Sequence, residues 1–213
     1  RRQRQMCIRD SGSCLMDDWA ELLAPVYPGI RLRRQLFNHA SALEPLPDEE
    51  RARTGFQVVQ IPIRSLLPEA AYFTQTLSAE GQAAIERTFQ DCLARLRRNL
   101  DAALAYNRAS GLPVFVLNFA VPQANPLGRL LPKYSLSNLS HFVRSLNEAL
   151  EAMVAAEKSV YVIDFDEITA TLGKRYIQDD LVNHLNHGSF MDWLKTRHDT
   201  ELTAHGDLDA QFS

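Results

Sequence analysis

Apolar residues recur along this chain at two periods, and the alternation between the periods predicts its elements. Leu15, Trp19, Leu22 and Leu23 fall at helical spacing, and Pro25 with Pro28-Gly29 closes that helix. From Ile30 to Phe37, Ile30, Leu32 and Leu36 alternate with polar residues, mostly arginines, as a strand with one wet side does. Pro45, Pro47 and a run of charges mark residues 42–55 as a surface connection. Phe56, Val58, Val59, Ile61 and Ile63 form an apolar run of strand length, of the kind that suits a strand buried on both faces. The longest predicted helix carries Ile85, Phe89, Leu93, Leu96, Leu100 and Leu104 in steps of three or four and ends at Gly111-Leu112-Pro113. Pro113 to Ala120 is the clearest buried strand, and the prolines and glycine of residues 121–132 make the loop after it. Ser135 or Ser137 is expected to cap a second long helix bearing Leu139, Phe142 or Val143, Leu146, Leu150 and Met153. Ser159 to Phe165 reads as another buried strand ending in acid, and Ile168 to Leu172 as a short helical turn before Gly173. Beyond Tyr176 the chain is polar, with a last helix expected over residues 189–198.

Strands alternating with long helices imply right-handed crossovers. The expected fold is therefore α/β, a three-layer α/β/α arrangement around a doubly wound parallel sheet. Four strands are predicted, near residues 30–36, 57–62, 113–119 and 159–164, and five if residues 5–10 supply a first one. Ligands in such folds bind beyond the carboxyl ends of the strands. Here those ends are Gly12 to Cys14, Asn38-His39, Pro62 to Ser65, Asn118 to Gln123 and Asp164 to Asp166.

Composition narrows the partners. Lys and Arg number 23 against 26 Asp and Glu, so no global positive field exists to draw in a nucleic acid. No apolar run approaches the roughly 20 residues that span a bilayer, and no secretory apolar stretch follows the basic start. Cys7, Cys14 and Cys92 are an odd number without metal-ligand spacing, which fits a reducing cytoplasm better than a disulfide framework. The opening RRQRQMCIRDS resembles a translated sequencing-adapter peptide, so residues 1 to about 11 are expected to form a lead that adds little to the core. Residues 12–213 are then one domain. The chain starts without Met and stops after a polar stretch, and both ends are read as fragment ends.

Gly12-Ser13-Cys14 stands between a strand slot and a helix. Glycine lets the chain turn sharply, and a small nucleophile then meets backbone N–H groups able to stabilise an oxyanion. A thiol there is acidified by the helix dipole. A plain Gly-Ser turn that caps a helix uses the same residues. GSCL, VVQIPIRSLLPE, VLNFAVP, SLNEAL, YVIDFDEI and a late Asp/His segment, in that order, resemble the SGNH/GDSL hydrolase superfamily, and most closely the SGNH-like domain that precedes the phosphatase-like domain in FkbH-type proteins.

The resemblance spans roughly residues 12 to 190. It places the nucleophile slot on Cys14, with Ser13 as its rival. The oxyanion-hole asparagine expected near Ile61 to Ser65 is replaced by the neighbourhood of Arg64, whose guanidinium can hold a carboxylate, a phosphate or an oxyanion, or simply make a strand-end ion pair. The resemblance also implies an Asp-x-x-His closing block. The sequence offers Asp180 with His184 four residues on, and His187 as the alternative base. His184 and His187 with an Asp would also suit a metal, and both would equally suit an exposed loop. Asn38 and Asn118, at strand ends on one rim, can donate to a substrate oxygen or close turns.

The function these residues imply is an SGNH/GDSL-type hydrolase or acyltransferase acting on ester-linked acyl or carbohydrate-acyl substrates. Gly12, Arg64, Asn38 and Asn118 would then bind substrate or oxyanion. No cofactor and no metal is expected, since no glycine-rich phosphate cradle is present. The alternative is a non-catalytic SGNH-like module that positions a carrier protein or fused domain.

Overall fold

The structure, a computed structural model, describes residues 6–12, 25–27, 29–36, 53–67, 81–123 and 130–174. Five strands form one parallel sheet: β1 (Met6–Gly12), β2 (Ile30–Leu36), β3 (Thr54–Gln60), β4 (Val114–Leu117) and β5 (Val160–Ile163). Their order across the sheet is β2-β1-β3-β4-β5. The α/β class expected from the alternation of periods is what the structure shows. The predicted helices over residues 15–23 and 189–198 lie outside the described residues.

Met6–Gly12 takes the first-strand slot that the alternation of elements left open to residues 5–10. It is an interior strand, with Ile8 opposite Leu32 of β2 and Phe56 of β3. The physical reason is that a ladder is built from backbone N–H and C=O groups, so a strand slot makes few demands on the identity of the segment that fills it. The register between β1 and β3 shifts once, between Cys7 and Ile8.

β3 ends at Gln60, two residues earlier than predicted, because Pro62 has no N–H to give the ladder. The chain turns there into α1 (Ile63–Leu66). α2 (Gln82–Ser110) runs on to Gly111, whose left-handed φ of 71° suits a residue without Cβ, and the Gly111 N–H closes on the Asn107 carbonyl. Asn107 is buried, and its Nδ2 donates to the carbonyls of Leu112 (2.7 Å) and Lys158 (3.2 Å). One side chain thus ties the end of α2 to the segments leading into β4 and β5. On the surface nearby, Arg108 grips both Asp101 and Glu157, and that guanidinium holds the Glu157 carboxyl below its usual range.

α3 (Leu139–Ala155) is capped by Asn138, not by Ser135 or Ser137. A cap must sit at the last extended residue. Asn138 does so, at φ −87° and ψ 114°, and its side chain accepts from the His141 N–H, whereas the Ser137 hydroxyl donates to Ser135 Oγ at 2.9 Å. α4 (Phe165–Leu172) starts three residues before the predicted turn, because Asp164 accepts from the Glu167 N–H at 2.9 Å.

The period of two along each strand sorts the core onto two faces. Val59, Val114, Val116 and Val160 meet Cys92, Leu96, Leu100 and Leu104 of α2 and Phe142, Leu146 and Leu150 of α3. The opposite face carries Val58 and Leu117, both buried, with Phe56, Ile163 and Phe165 against them. On the three neighbouring strands Phe115 meets Phe56 edge-on, with centroids 5.5 Å apart, and stacks on Tyr161 at 5.6 Å. Among the described residues no helix is long and apolar enough to cross a membrane.

Candidate functional site

In a sheet of this order the connection after β1 runs to β2 on one side and the connection after β3 runs to β4 on the other, and folds of this kind open a crevice between the carboxyl ends of those two strands, β1 and β3. Ser11 is paired with Val59, which brings Gly12 beside Gln60 on neighbouring strands about 5 Å apart. Gly12 and Arg64 therefore flank the same crevice, Gly12 as the last residue of β1 and Arg64 on the turn that follows β3. Asn118 follows β4, one strand further along the rim. Of the other residues singled out in the sequence, Ser13, Cys14, Asn38, Asp180, His184 and His187 lie outside the described residues. Ser13 and Cys14 are the two residues that follow Gly12 in the sequence.

The turn bearing Arg64 is held from α2. The Leu66 carbonyl accepts from both Cys92 Sγ (3.3 Å) and Arg95 Nη1 (2.8 Å), while Asn99 reaches Ser65, whose hydroxyl donates to the Pro62 carbonyl at 2.7 Å. Nothing in the spacing of apolar residues marks these polar positions of α2 as anchors. They matter because α1 is a single turn and cannot hold its own geometry.

Cys92 is sealed in the core, and burial pushes its thiol from 9.0 up to about 11, with Arg95 opposing and Asp91 adding to the rise. At pH 8 its thiolate fraction falls roughly 100-fold below that of a thiol at 9.0, so a thiol reagent should label it only on unfolding. A raised folded value favours the protonated thiol, so its contribution is intact below pH 9 and is lost as pH climbs toward 11. Relative to Cys92→Ala, the wild-type chain should lose about 2–3 kcal/mol of stability over that window, an upper figure for a two-unit shift. Urea unfolding at pH 8, 9, 10 and 11 checks this, and parallel curves for the two proteins would refute it.

At the β4 and β5 end the rim is stitched by side chains. Asn118 donates from Nδ2 to Asp164 Oδ1 (2.8 Å) and accepts at Oδ1 from the Asp166 N–H (3.0 Å). Its side chain thus joins two strand ends in this structure, the turn-closing use of an asparagine. Asn147 of α3 pairs with both backbone groups of Phe119, at 2.9 and 2.8 Å, and Ser140 donates to the Pro122 carbonyl at 3.0 Å. Asp166 Oδ1 accepts from the Val121 N–H at 2.7 Å, and Lys174 Nζ grips the same carboxylate and the Val121 carbonyl. The acid after β5 was visible in the sequence, but Asn147 and Lys174 carried no signal, since nothing in a linear pattern tells which backbone groups of a distant loop need partners. Among the described residues no group of three His, Cys, Asp or Glu is placed to hold a metal ion.

The fold has a relative of known structure. The N-terminal part of the protein BF1531 from Bacteroides fragilis, described as containing a phosphatase domain complexed with Mg, superposes with a TM-score of 0.54 at 10% identity over 87% of this chain. The match takes in 47% of that structure, so this chain spans about half its length. A GDSL-like lipase, BT0569 from Bacteroides thetaiotaomicron, superposes less well, with a TM-score of 0.40 at 10% identity over 84% of this chain and 74% of the lipase. No family model and no curated protein matches the chain. Likeness at 10% identity speaks to the fold alone.

Proposed function

We propose that the chain is an SGNH-type domain, a three-layer doubly wound α/β/α unit, that hydrolyses or transfers an ester-linked acyl group, carbohydrate-acyl groups included. The observation that supports the reading is the strand order β2-β1-β3-β4-β5, in which Gly12 ends β1 beside β3, the strand that Arg64 follows, at the switch point where folds of this kind bind ligands. In this reading Cys14, or Ser13 beside it, attacks the ester carbonyl and forms an acyl-enzyme. His184 or His187 takes the nucleophile's proton and returns it to the leaving alcohol, and Asp180 orients the imidazole. Arg64 and backbone N–H groups at the turn meet the oxyanion. Water or an acceptor alcohol then releases the acyl group. Nothing in that sequence of steps calls for a cofactor.

A second reading has two observations in its favour. The Asn118 side chain, a candidate substrate donor, joins Asp164 to the Asp166 N–H, an arrangement that serves the fold without any substrate. This chain also spans about half of a longer structure that contains a phosphatase domain. Both fit a module that positions a carrier protein or a fused domain.

Alkylation separates the two. Under the catalytic reading the chain hydrolyses p-nitrophenyl acetate, and iodoacetamide abolishes that turnover in step with modification of a single cysteine, mapped to Cys14 by peptide mass. Full turnover by a chain fully alkylated at Cys14 would discard the cysteine, and no turnover of activated or carbohydrate acetyl esters at all would leave the positioning module.

A further inference from the structure

β5 ends the sheet, and among the described residues only its β4 side is paired. That ladder uses the backbone of every second residue of β5. Val114 donates to the Ser159 carbonyl at 3.0 Å and Asn118 to the Ile163 carbonyl at 3.2 Å, while Val114 and Val116 stand in register with Val160 and Val162. In a parallel pair of this register the bonds between those two fall on Tyr161, so the N–H and C=O groups of Val160 and Val162 point away from β4, along the outer edge. Their side chains pack into the core on the α2 and α3 face, which leaves backbone as the surface they present. The strand reads Val-Tyr-Val-Ile, with no charge, no proline and no bulge to discourage pairing. On the opposite face the row formed by Phe56, Phe115 and Tyr161 runs across three strands and stops at this edge, where Tyr161 is 54% exposed.

A second copy of the chain fits that edge in one register. Residues directly opposite in an antiparallel pair either exchange both backbone bonds or none, so a two-fold axis must set outward-pointing residues against outward-pointing residues. An axis through Tyr161 is the one that engages both valines of each copy, Val160 facing Val162 of the second copy and Val162 facing its Val160. The same axis sets Tyr161 against Tyr161 of the second copy in a non-hydrogen-bonded site, where side chains come closest. The aromatic row then continues from one molecule into the other. The axis also brings Lys158 to Asp164 of the second copy, and Asp164 to its Lys158, since the two lie equally far on either side of Tyr161 and both are exposed. A register shifted one step either way sets these charges against valines and leaves outward backbone groups unpaired. Backbone pairing, aromatic continuity and charge thus select the same axis. We propose that the chain forms a two-fold dimer in which β5 pairs antiparallel with β5 of a second copy, centred on Tyr161, to give one sheet continuous through both molecules. The dimer does not depend on the reaction proposed above, because the crevice between β1 and β3 is two strands away from this edge.

The test uses the full chain in sedimentation velocity between about 1 and 100 µM, the range in which a weak pairing is read. Expected for the wild type is a reversible shift from monomer to dimer as concentration rises, with nothing larger, because a two-fold axis closes on itself. Tyr161→Lys sets two ammonium groups directly opposite each other and should raise the dissociation constant about 10-fold or more. Lys158→Glu turns both end pairs into like charges and should raise it between about 3- and 30-fold. Tyr134→Lys, at an exposed tyrosine of the loop before α3, should leave it as in wild type. The register is read by Tyr161→Cys: opposed residues of a non-hydrogen-bonded site stand within disulfide reach, so mild oxidation should link this variant into a dimer much faster than wild type or Tyr134→Cys. If the lysine variant fails to fold, the cysteine variant decides alone. A wild-type chain that stays monomeric throughout overturns the proposal, whether other residues of the same chain cover the edge or nothing does. A dimer indifferent to Tyr161→Lys overturns it as well, and so does Tyr161→Cys linking no faster than Tyr134→Cys, since either result puts the interface elsewhere.

Discussion

Cys14→Ala is expected to lower kcat/KM for an activated ester by about 10³-fold or more, whereas Ser13→Ala lowers it about 10-fold or less, if the crevice beside Gly12 is a catalytic site. The basis for the size is that a nucleophile cannot be replaced in part: an acyl-enzyme either forms on that atom or does not, and removing such a group typically leaves only what the oxyanion donors and binding supply. The basis for choosing Cys14 is position. β1 ends at Gly12 next to Gln60 of β3, at the place where the crossovers diverge. The resemblance to the SGNH/GDSL superfamily puts the nucleophile two residues after that glycine, and a thiol held among backbone N–H groups ionises more readily than a free one. Ser13 should affect the turn without supplying the attacking atom. Steady-state kinetics on the two variants decide the matter. If Ser13→Ala abolishes turnover and Cys14→Ala does not, the nucleophile moves by one residue, and if neither variant differs from wild type the site is a binding surface.

The largest effect on stability is expected from Phe142→Ala. Phe142 is fully buried between the sheet and α2, with the Phe89 ring edge-on at 5.0 Å. Truncation removes a fully buried ring from the core and takes away the edge-on partner of the Phe89 ring, a change that costs about 3–5 kcal/mol in well-packed interiors. For a chain of this size each kcal/mol moves Tm by roughly 2–4 °C, so a fall of roughly 6–20 °C is expected. Phe142→Leu, which keeps most of the volume, should cost less than half as much. Leu172→Ala is the contrast. That side chain is 66% exposed, and its loss should move stability by no more than about 0.5 kcal/mol. Thermal unfolding of the three variants tests the ranking, and a Phe142→Ala protein as stable as Leu172→Ala would place the core elsewhere.

What could be read from the amino-acid sequence was whatever depends on local period and local chemistry. The helical steps from Ile85 to Leu104 and from Leu139 to Met153, the apolar strands around Val59, Val116 and Val162, and the stops at Gly111 and Pro62 follow from side-chain spacing and backbone sterics, so they were visible before any contact was known. The C-terminal rim was legible as a list of strand ends for the same reason, and Gly12, Arg64 and Asn118 are found on it. Tertiary structure decided the rest. Residues 5–10 were open to use as a first strand, but the place of Met6–Gly12 between β2 and β3 depends on which backbone edges those strands offer, and no pattern within seven residues encodes that. Asn138 displaced Ser135 and Ser137 as a cap because the cap goes to the residue whose dihedrals are last to be extended, a property of the path the loop takes after Pro132. Asn118, Asn147, Asp166 and Lys174 became one network because folding brought together backbone groups of residues 119–122 that had to be satisfied once water was excluded. A sequence pattern records which residues are able to form hydrogen bonds, and only the fold determines which groups lose their water and must find a partner in the protein.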